Sequence, residues 1–374
     1  MAVACHRTEV LKLSPVLARL RSSPRCRLTV CFAEVHGRRL EPWAGDAGLA
    51  ADRVVPVSDR EVSPRQLAGL VRKAFEPLLE ELRPDVVLLQ GDDTPALAIA
   101  EVALLREVPI AHVEAGLRSN LLASPWPEEG NRREIGRMAT WHFAPCETAA
   151  QNLLRENQLP SRVHRVGNPG VDGSMELRRR VLARPEKGAG EASLPAGAPY
   201  VLATLHRREG WQGGIAAACE GLRELLERQP SLHLVMPLTP NPRVVDQVHR
   251  ILRGHPRVRL TDPLGAEDFA RLLARAALVV TDSGSVQEEA TLHGRRLLVV
   301  RDVTDRPEIV EQGYGQLVGF NRVLIASAGV DALALGPLPP VSLYGDGRAA
   351  ERIADVLLLG RSELPPPPPV VPLA

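Results

Sequence analysis

The chain has 374 residues, 24% of them charged, with a formal net charge of +1, a length that allows two α/β domains with separate cores. So balanced a charge leaves no electrostatic footprint for nucleic acid or an anionic membrane, and the apolar runs fall far short of the ~20 residues of a membrane span. The five cysteines lack C-x-x-C spacing, which argues against a disulfide framework or a structural zinc site. With no continuous apolar run at the N-terminus to serve as a secretory signal, a cytoplasmic protein with reduced thiols is expected.

In chain order, short apolar β-branched runs alternate with amphipathic segments, the pattern of βαβ units and parallel sheets. Residues 2–5 read as a first strand, and Val10, Leu13, Leu17 and Leu20 fall on one helical face. Leu28–Phe32 reads as a second strand, and the helix marked by Leu67, Leu70, Val71, Leu78 and Leu82 leads to a buried strand at Asp85–Gln90. Strands at Val108–Val113, His142–Pro145 and near Arg162–Val166 follow, and GNPG at 167–170 breaks both periods as a candidate hinge. A second series predicts strands at Val201–Leu205, Leu232–Met236, Val258–Leu260, Leu278–Thr281 and Leu297–Arg301. Residues 183–198, rich in Ala, Gly and Pro, predict an exposed mobile loop, and the proline-rich end a disordered tail. Two such halves imply a cleft, a common ligand site.

Chemistry-bearing residues gather where strands end, which is where ligands bind in open α/β sheets. Asp92 follows VVLLQG, Glu114 interrupts the strand exit of HVEAGLR, and Glu128 opens a helix after Pro127. Asp92 and Glu128 are also compatible with a turn and with a helix-dipole partner. His206 follows VLATL and can titrate near neutrality or bind phosphate. In TDSGSVQEEA, residues Ser283, Gly284 and Ser285 offer N–H groups at a helix start, an anion site or an ordinary cap, and Glu289 stands where it could accept ribose hydroxyls. Arg306 in RDVTDRPE carries a fork of donors suited to phosphate.

Taken in order, these segments resemble the UDP-N-acetylglucosamine 2-epimerase family, in its non-hydrolysing bacterial branch. CHRTEVLKLSP resembles the family's G-T-R-P-E-x-x-K-x-x-P and QGDDT its H-G-D-T-x-S, while HVEAGLR, SPWPEEGNRR, LHRREGW, TDSGSVQEEA and RDVTDRPE match closely. YGDGRAAERI resembles a late Y-G-D-G-x-A-x-x-R-I, so the likeness runs from about Cys5 to about Leu358.

The resemblance implies an α/β, GT-B-like fold of two Rossmann-like domains with parallel sheets and an interdomain cleft. Residues 1–167 would carry the catalytic carboxylates and 168–346 would bind UDP. Residues 347–360 would form a helix packing back on the first domain, with 361–374 as the tail. The implied reaction interconverts UDP-GlcNAc and UDP-ManNAc by C2 deprotonation, elimination of UDP to 2-acetamidoglucal and re-addition. It needs no metal or other cofactor, because UDP is itself the leaving group. Carried over by motif, Asp92, Glu114, Glu128 and His206 are the catalytic set, with Asp92 nearest C2. Arg7, Lys12, Ser283, Gly284, Ser285 and Arg306 are the diphosphate cradle, Glu289 the ribose contact and Phe269 the uracil platform. A homodimer serving polysaccharide or aminosugar synthesis is the implied context. The alternatives are a hydrolysing epimerase that releases ManNAc and UDP, and a GT-B glycosyltransferase.

The chain departs from the pattern at Cys5, Thr8, Ser285 and Ala266, and at Asp93, where the family has threonine. Asp93 adds a like charge beside Asp92 that should raise one pKa of that pair. AEVHGR and TPNP stand in place of segments that help bacterial members bind a second UDP-GlcNAc as activator.

Overall fold

Two reversals of strand order, one in each of two parallel sheets, position everything discussed below. The computed structural model describes residues 1–46, 48–184, 194–360 and 364–373. The chain divides into two units, residues 1–173 with 344–369 and residues 174–343 with 370–374. Both are Rossmann-like α/β units, the makeup expected of a GT-B-like chain.

In the first unit the strands are β1 (Ala2–Ala4), β2 (Val30–Glu34), β3 (Arg53–Pro56), β4 (Val87–Gln90), β5 (Ile110–Val113), β6 (Trp141–Ala144) and β7 (Val163–Arg165). They lie in the order β3-β2-β1-β4-β5-β6-β7, all parallel. The helices are α1 (Arg7–Ser22), α2 (Glu41–Asp46), α3 (Pro64–Leu82), α4 (Thr94–Leu105), α5 (Glu128–Met138), α6 (Glu147–Arg155) and α7 (Pro169–Ala183). The order reverses between β1 and β4, so the loops leaving these neighbours run apart and open a crevice at their carboxyl ends. Local chemistry fixes the helix starts. Ser63 and Gln66 make a reciprocal capping box on α3, with Pro64 in its first turn, and Asp93 caps α4.

The second unit has β8 (Tyr200–Thr204), β9 (His233–Pro237), β10 (Val258–Thr261), β11 (Leu278–Thr281), β12 (Leu297–Val299) and β13 (Gly315–Leu317), ordered β10-β9-β8-β11-β12-β13. Its helices are α8 (Gly214–Arg228), α9 (Pro242–Leu252), α10 (Ala266–Arg275), α11 (Gly284–Leu292), α12 (Pro307–Glu311) and α13 (Arg322–Leu335). Here the reversal falls between β8 and β11. A last helix, α14 (Ala349–Leu359), returns to the first unit, where Ile353, Ala354 and Val356 share a core with Val10, Leu13 and Leu17 of α1. Among the described residues no helix is long and apolar enough to cross a membrane.

Three expectations change. The division between units falls inside α7, past GNPG, because Asn168 is tied into the first unit by its N–H to the Tyr344 carbonyl. The proline-rich end is not wholly a disordered tail: Val371–Pro372 (β15) pairs antiparallel with Val341–Ser342 (β14). Prolines lack a donor but keep their carbonyls, and Pro365 accepts from Arg352 Nε at 2.8 Å. Strand β3 was not anticipated, since most of it is exposed on the sheet edge and it carries no apolar alternation. Of the expected loop at 183–198, residues 185–193 lie outside the described residues, as do 361–363 and 374 of the tail.

His112 and His142 are register partners on β5 and β6, and both are buried. Burial depresses them to about 3 and about 4. A base with a depressed folded pKa binds its proton more readily in the unfolded chain. Its contribution is therefore intact above about pH 6.5 and is lost as pH falls toward those folded values. Denaturant titrations should show a loss on the order of 1–2 kcal/mol per histidine between pH 7 and pH 5, reduced by that amount in His142→Asn.

Candidate active site

Glu114 is the first residue past β5, in the left-handed region at φ 63°, a conformation that a non-glycine residue holds only under constraint. The constraint is a set of donors around a carboxylate that is only 5% exposed. Lys12 Nζ reaches both oxygens at 2.7 and 2.9 Å, Asn168 Nδ2 donates to Oε1 at 2.6 Å, and Gln90 Nε2 donates to Oε2. These contacts fill about four lone-pair positions, all that a carboxylate offers.

Asp92, two residues past β4, is held differently. Its carboxylate is 27% exposed and meets Arg132 of α5 at 2.5 Å, while its carbonyl accepts from Asn131 Nδ2 at 2.9 Å. Glu128 opens α5 and is half-buried. Lying four residues before Arg132, it shares the helix face that meets Asp92. Glu129, fully buried, accepts from Ser119 N at 2.9 Å and Arg133 Nε at 3.0 Å, which fixes the loop before α5.

The charge expected to raise a pKa within the Asp92–Asp93 pair acts elsewhere. Asp93 accepts from Ala96 N at 2.7 Å and lies 2.9 Å from His6 Nε2. Burial opposes its charge, but His6 and the Ala96 N–H hold the carboxyl below its ordinary value. The raised group is Glu9: burial, then the Asp93 charge, push it well up. The donor atoms of Cys5, Glu9 and Asp93 lie within 4.8 Å of one another.

In the second unit the centre is Asp282, fully buried after β11. Its Oδ2 accepts the backbone N–H groups of His206 and Arg207 at 2.7 and 2.8 Å, and Oδ1 lies 3.0 Å from His206 Nδ1. Burial opposes the Asp282 charge, but His206 and these N–H groups leave its pKa lowered. The imidazole, 46% exposed, is thus oriented by a fixed carboxylate with its other nitrogen available. Ser283 caps α11, and Gly284 follows because Arg306 lies across it: an ideal Cβ at Gly284 would stand 2.8 Å from the Arg306 Cζ. Arg306 is locked by Glu288 at 2.9 Å and Asp305 at 2.7 Å, and Asp305 also binds Arg301 at 3.0 Å. A helix N-terminus beneath a fixed guanidinium suits an anion such as a phosphate.

The first unit therefore brings Asp92, Glu114 and Glu128 to its strand ends. The second brings His206, Ser283, Gly284, Ser285 and Arg306 to its own, with Glu289 farther along α11 and Phe269 half-buried on α10. Arg7 opens α1, whereas Lys12 is engaged by Glu114. Gln90, Asn131, Arg132, Asn168 and Asp282 were missed as site residues. In the sequence Asn168 reads only as part of the GNPG hinge. The available signal was a polar residue standing at the end of an apolar strand.

A family profile described as UDP-N-acetylglucosamine 2-epimerase matches residues 19–358. The chain is 35% identical over 364 residues to the UDP-N-acetylglucosamine 2-epimerase of Yersinia pestis, covering 94% of this chain and 96% of that one. It is 34% identical over 371 residues to that of Escherichia coli strain K12, covering 96% and 98%. The crystal structure of UDP-GlcNAc 2-epimerase from Neisseria meningitidis bound to UDP-GlcNAc superimposes with a TM-score of 0.89 at 30% identity, covering 96% and 99%.

If Arg306 over Gly284 forms an anion seat, Gly284→Ala should displace the guanidinium. Pyrophosphate affinity, read by calorimetry, is expected to fall about tenfold, and the melting temperature to fall as well, because buried Glu288 and Asp305 lose part of their hold on the guanidinium. Unchanged affinity would move the anion elsewhere.

Proposed function

We infer that this chain, which belongs to the UDP-N-acetylglucosamine 2-epimerase family, interconverts UDP-GlcNAc and UDP-ManNAc by the non-hydrolysing route. A base takes the C2 proton as the C1–O bond to UDP breaks, and the bond's electron pair leaves on the phosphate oxygen. The C2–H pair becomes the double bond of 2-acetamidoglucal. A proton then returns to C2 on the opposite face as the UDP oxygen adds back to C1, so no atom is gained or lost.

The observation that carries the assignment is the contrast between two neighbouring carboxylates. Glu114 has its lone pairs occupied by Lys12, Gln90 and Asn168, so it holds the strand end and orients these groups. Asp92 is more open and is paired with Arg132. A carboxylate suffices as the base because departure of the leaving group acidifies C2 as positive charge builds at C1. Glu128, on the same helix face as Arg132, is the acid for the second face. His206, oriented by Asp282, stabilises the departing diphosphate together with the α11 N-terminus and Arg306, groups set before charge develops. We place the enzyme in the cytoplasm, a reading supported by its free cysteines.

Incubation with UDP-GlcNAc in D2O, followed by proton NMR, tests the route. Deuterium at C2 of both UDP-sugars is expected. Accumulation of free ManNAc would select the hydrolysing alternative, and no exchange at all would sink both. Asp92→Asn should reduce C2 exchange by about 10²-fold or more while UDP affinity holds; persistent exchange would remove Asp92 as the base.

A further inference from the structure

The loop that carries Asp92 is held from two sides. On one, Asn131 and Arg132 of α5 take its carbonyl and its carboxylate. On the other stands the next residue, Asp93, which caps α4 and lies 2.9 Å from His6 Nε2. His6 leaves β1 and directly precedes Arg7. In the G-T-R-P-E and H-G-D-T patterns quoted above, threonine stands at both places. This chain departs at both, and the two new side chains meet.

We propose that His6 and Asp93 are a positioning pair that keeps Arg132 on Asp92, an inference that rests on reading Asp92 as the base. Asp92 and Asp93 are consecutive carboxylates, and Arg132 is the buried cation paired with Asp92. Glu9 of α1 and Cys5, which cluster with Asp93, are a carboxyl and a thiol and bring it no cation. An Asp93 deprived of His6 would compete with Asp92 for the guanidinium and draw the Asp92 loop with it. The His6 imidazole, 2.9 Å from Asp93 Oδ2, holds Asp93 on its own side and leaves Arg132 to the base.

The second unit supports this use of the geometry. There, too, a histidine leaving the first strand of the reversal (His206, after β8) meets an aspartate leaving its neighbour (Asp282, after β11). The adjacency of β1 and β4 does the same for His6 and Asp93.

The test uses the full-length protein with His6→Thr, Asp93→Thr and the double substitution. Threonine still caps a helix, so Asp93→Thr keeps the α4 start and separates capping from pairing. His6→Thr should lower kcat for C2 exchange by about tenfold or more, with KM, UDP affinity and melting temperature nearly unchanged, because a small misplacement of a reacting group is costly. The double variant should recover to within about threefold of the unsubstituted protein, a coupling that independent sites do not show. Losses that simply add, or a His6→Thr kcat equal to that of the unsubstituted protein, would overturn the pair. Absence of C2 exchange in the unsubstituted protein would instead overturn the reaction on which it rests.

Discussion

A parallel sheet whose strand order reverses must leave two adjacent strand ends with loops running to opposite faces, and both sheets of this chain are organised around that point. In the first, the loops after β1 and β4 carry His6, Arg7, Asp92 and Asp93; in the second, those after β8 and β11 carry His206, Asp282 and Ser283. The constraint is topological before it is chemical: no other pair of strand ends in either sheet leaves a crevice between diverging connections. Chain segments far apart in sequence meet there, so polar groups at the strand ends can be supplied with partners from more than one loop.

Supplying partners is the harder requirement, because a buried carboxylate without them is strongly disfavoured. The solutions differ in a way that assigns roles. Glu114 is saturated by a lysine and two amides, and its left-handed backbone is held by them. Asp282 accepts two backbone N–H groups at one oxygen, and its other oxygen lies 3.0 Å from the His206 imidazole. Both are fixed points. Asp92 and His206, partly open, are the groups these fixed points leave available. Arg306 follows the same logic in reverse, since its carboxylate partners Glu288 and Asp305 hold a cation in place over a helix start.

Much of this was legible in the sequence, and the limit was physical. The buried strands β4 and β5, the helix face of Val10, Leu13 and Leu17, and the acids at strand ends were readable because burial on a regular period leaves a pattern in the residue types. Strand β3 left none, being mostly exposed at an edge. Within the site, type and motif name the residues expected to touch substrate but not the partners that hold them. Asn168 reads as part of a hinge and Asp282 draws no reading of its own, because a residue's long-range partner is invisible in its neighbours. The Asp93 charge was noticed, but its effect was assigned to the wrong neighbour: sequence adjacency pointed to Asp92, whereas the fold supplies His6 and Glu9.

That last displacement shows how such a site can vary while its chemistry is kept. A carboxylate added beside Asp92 would disturb its pairing if the two shared one cation. The reversal between β1 and β4 places a second loop within reach, so a new charge on one loop can be answered by a new donor on the other without moving the base. Asp93 and His6 meet across that junction as Asp282 and His206 meet across theirs. The same geometry that collects the catalytic groups therefore also supplies the place where a change near them can be compensated.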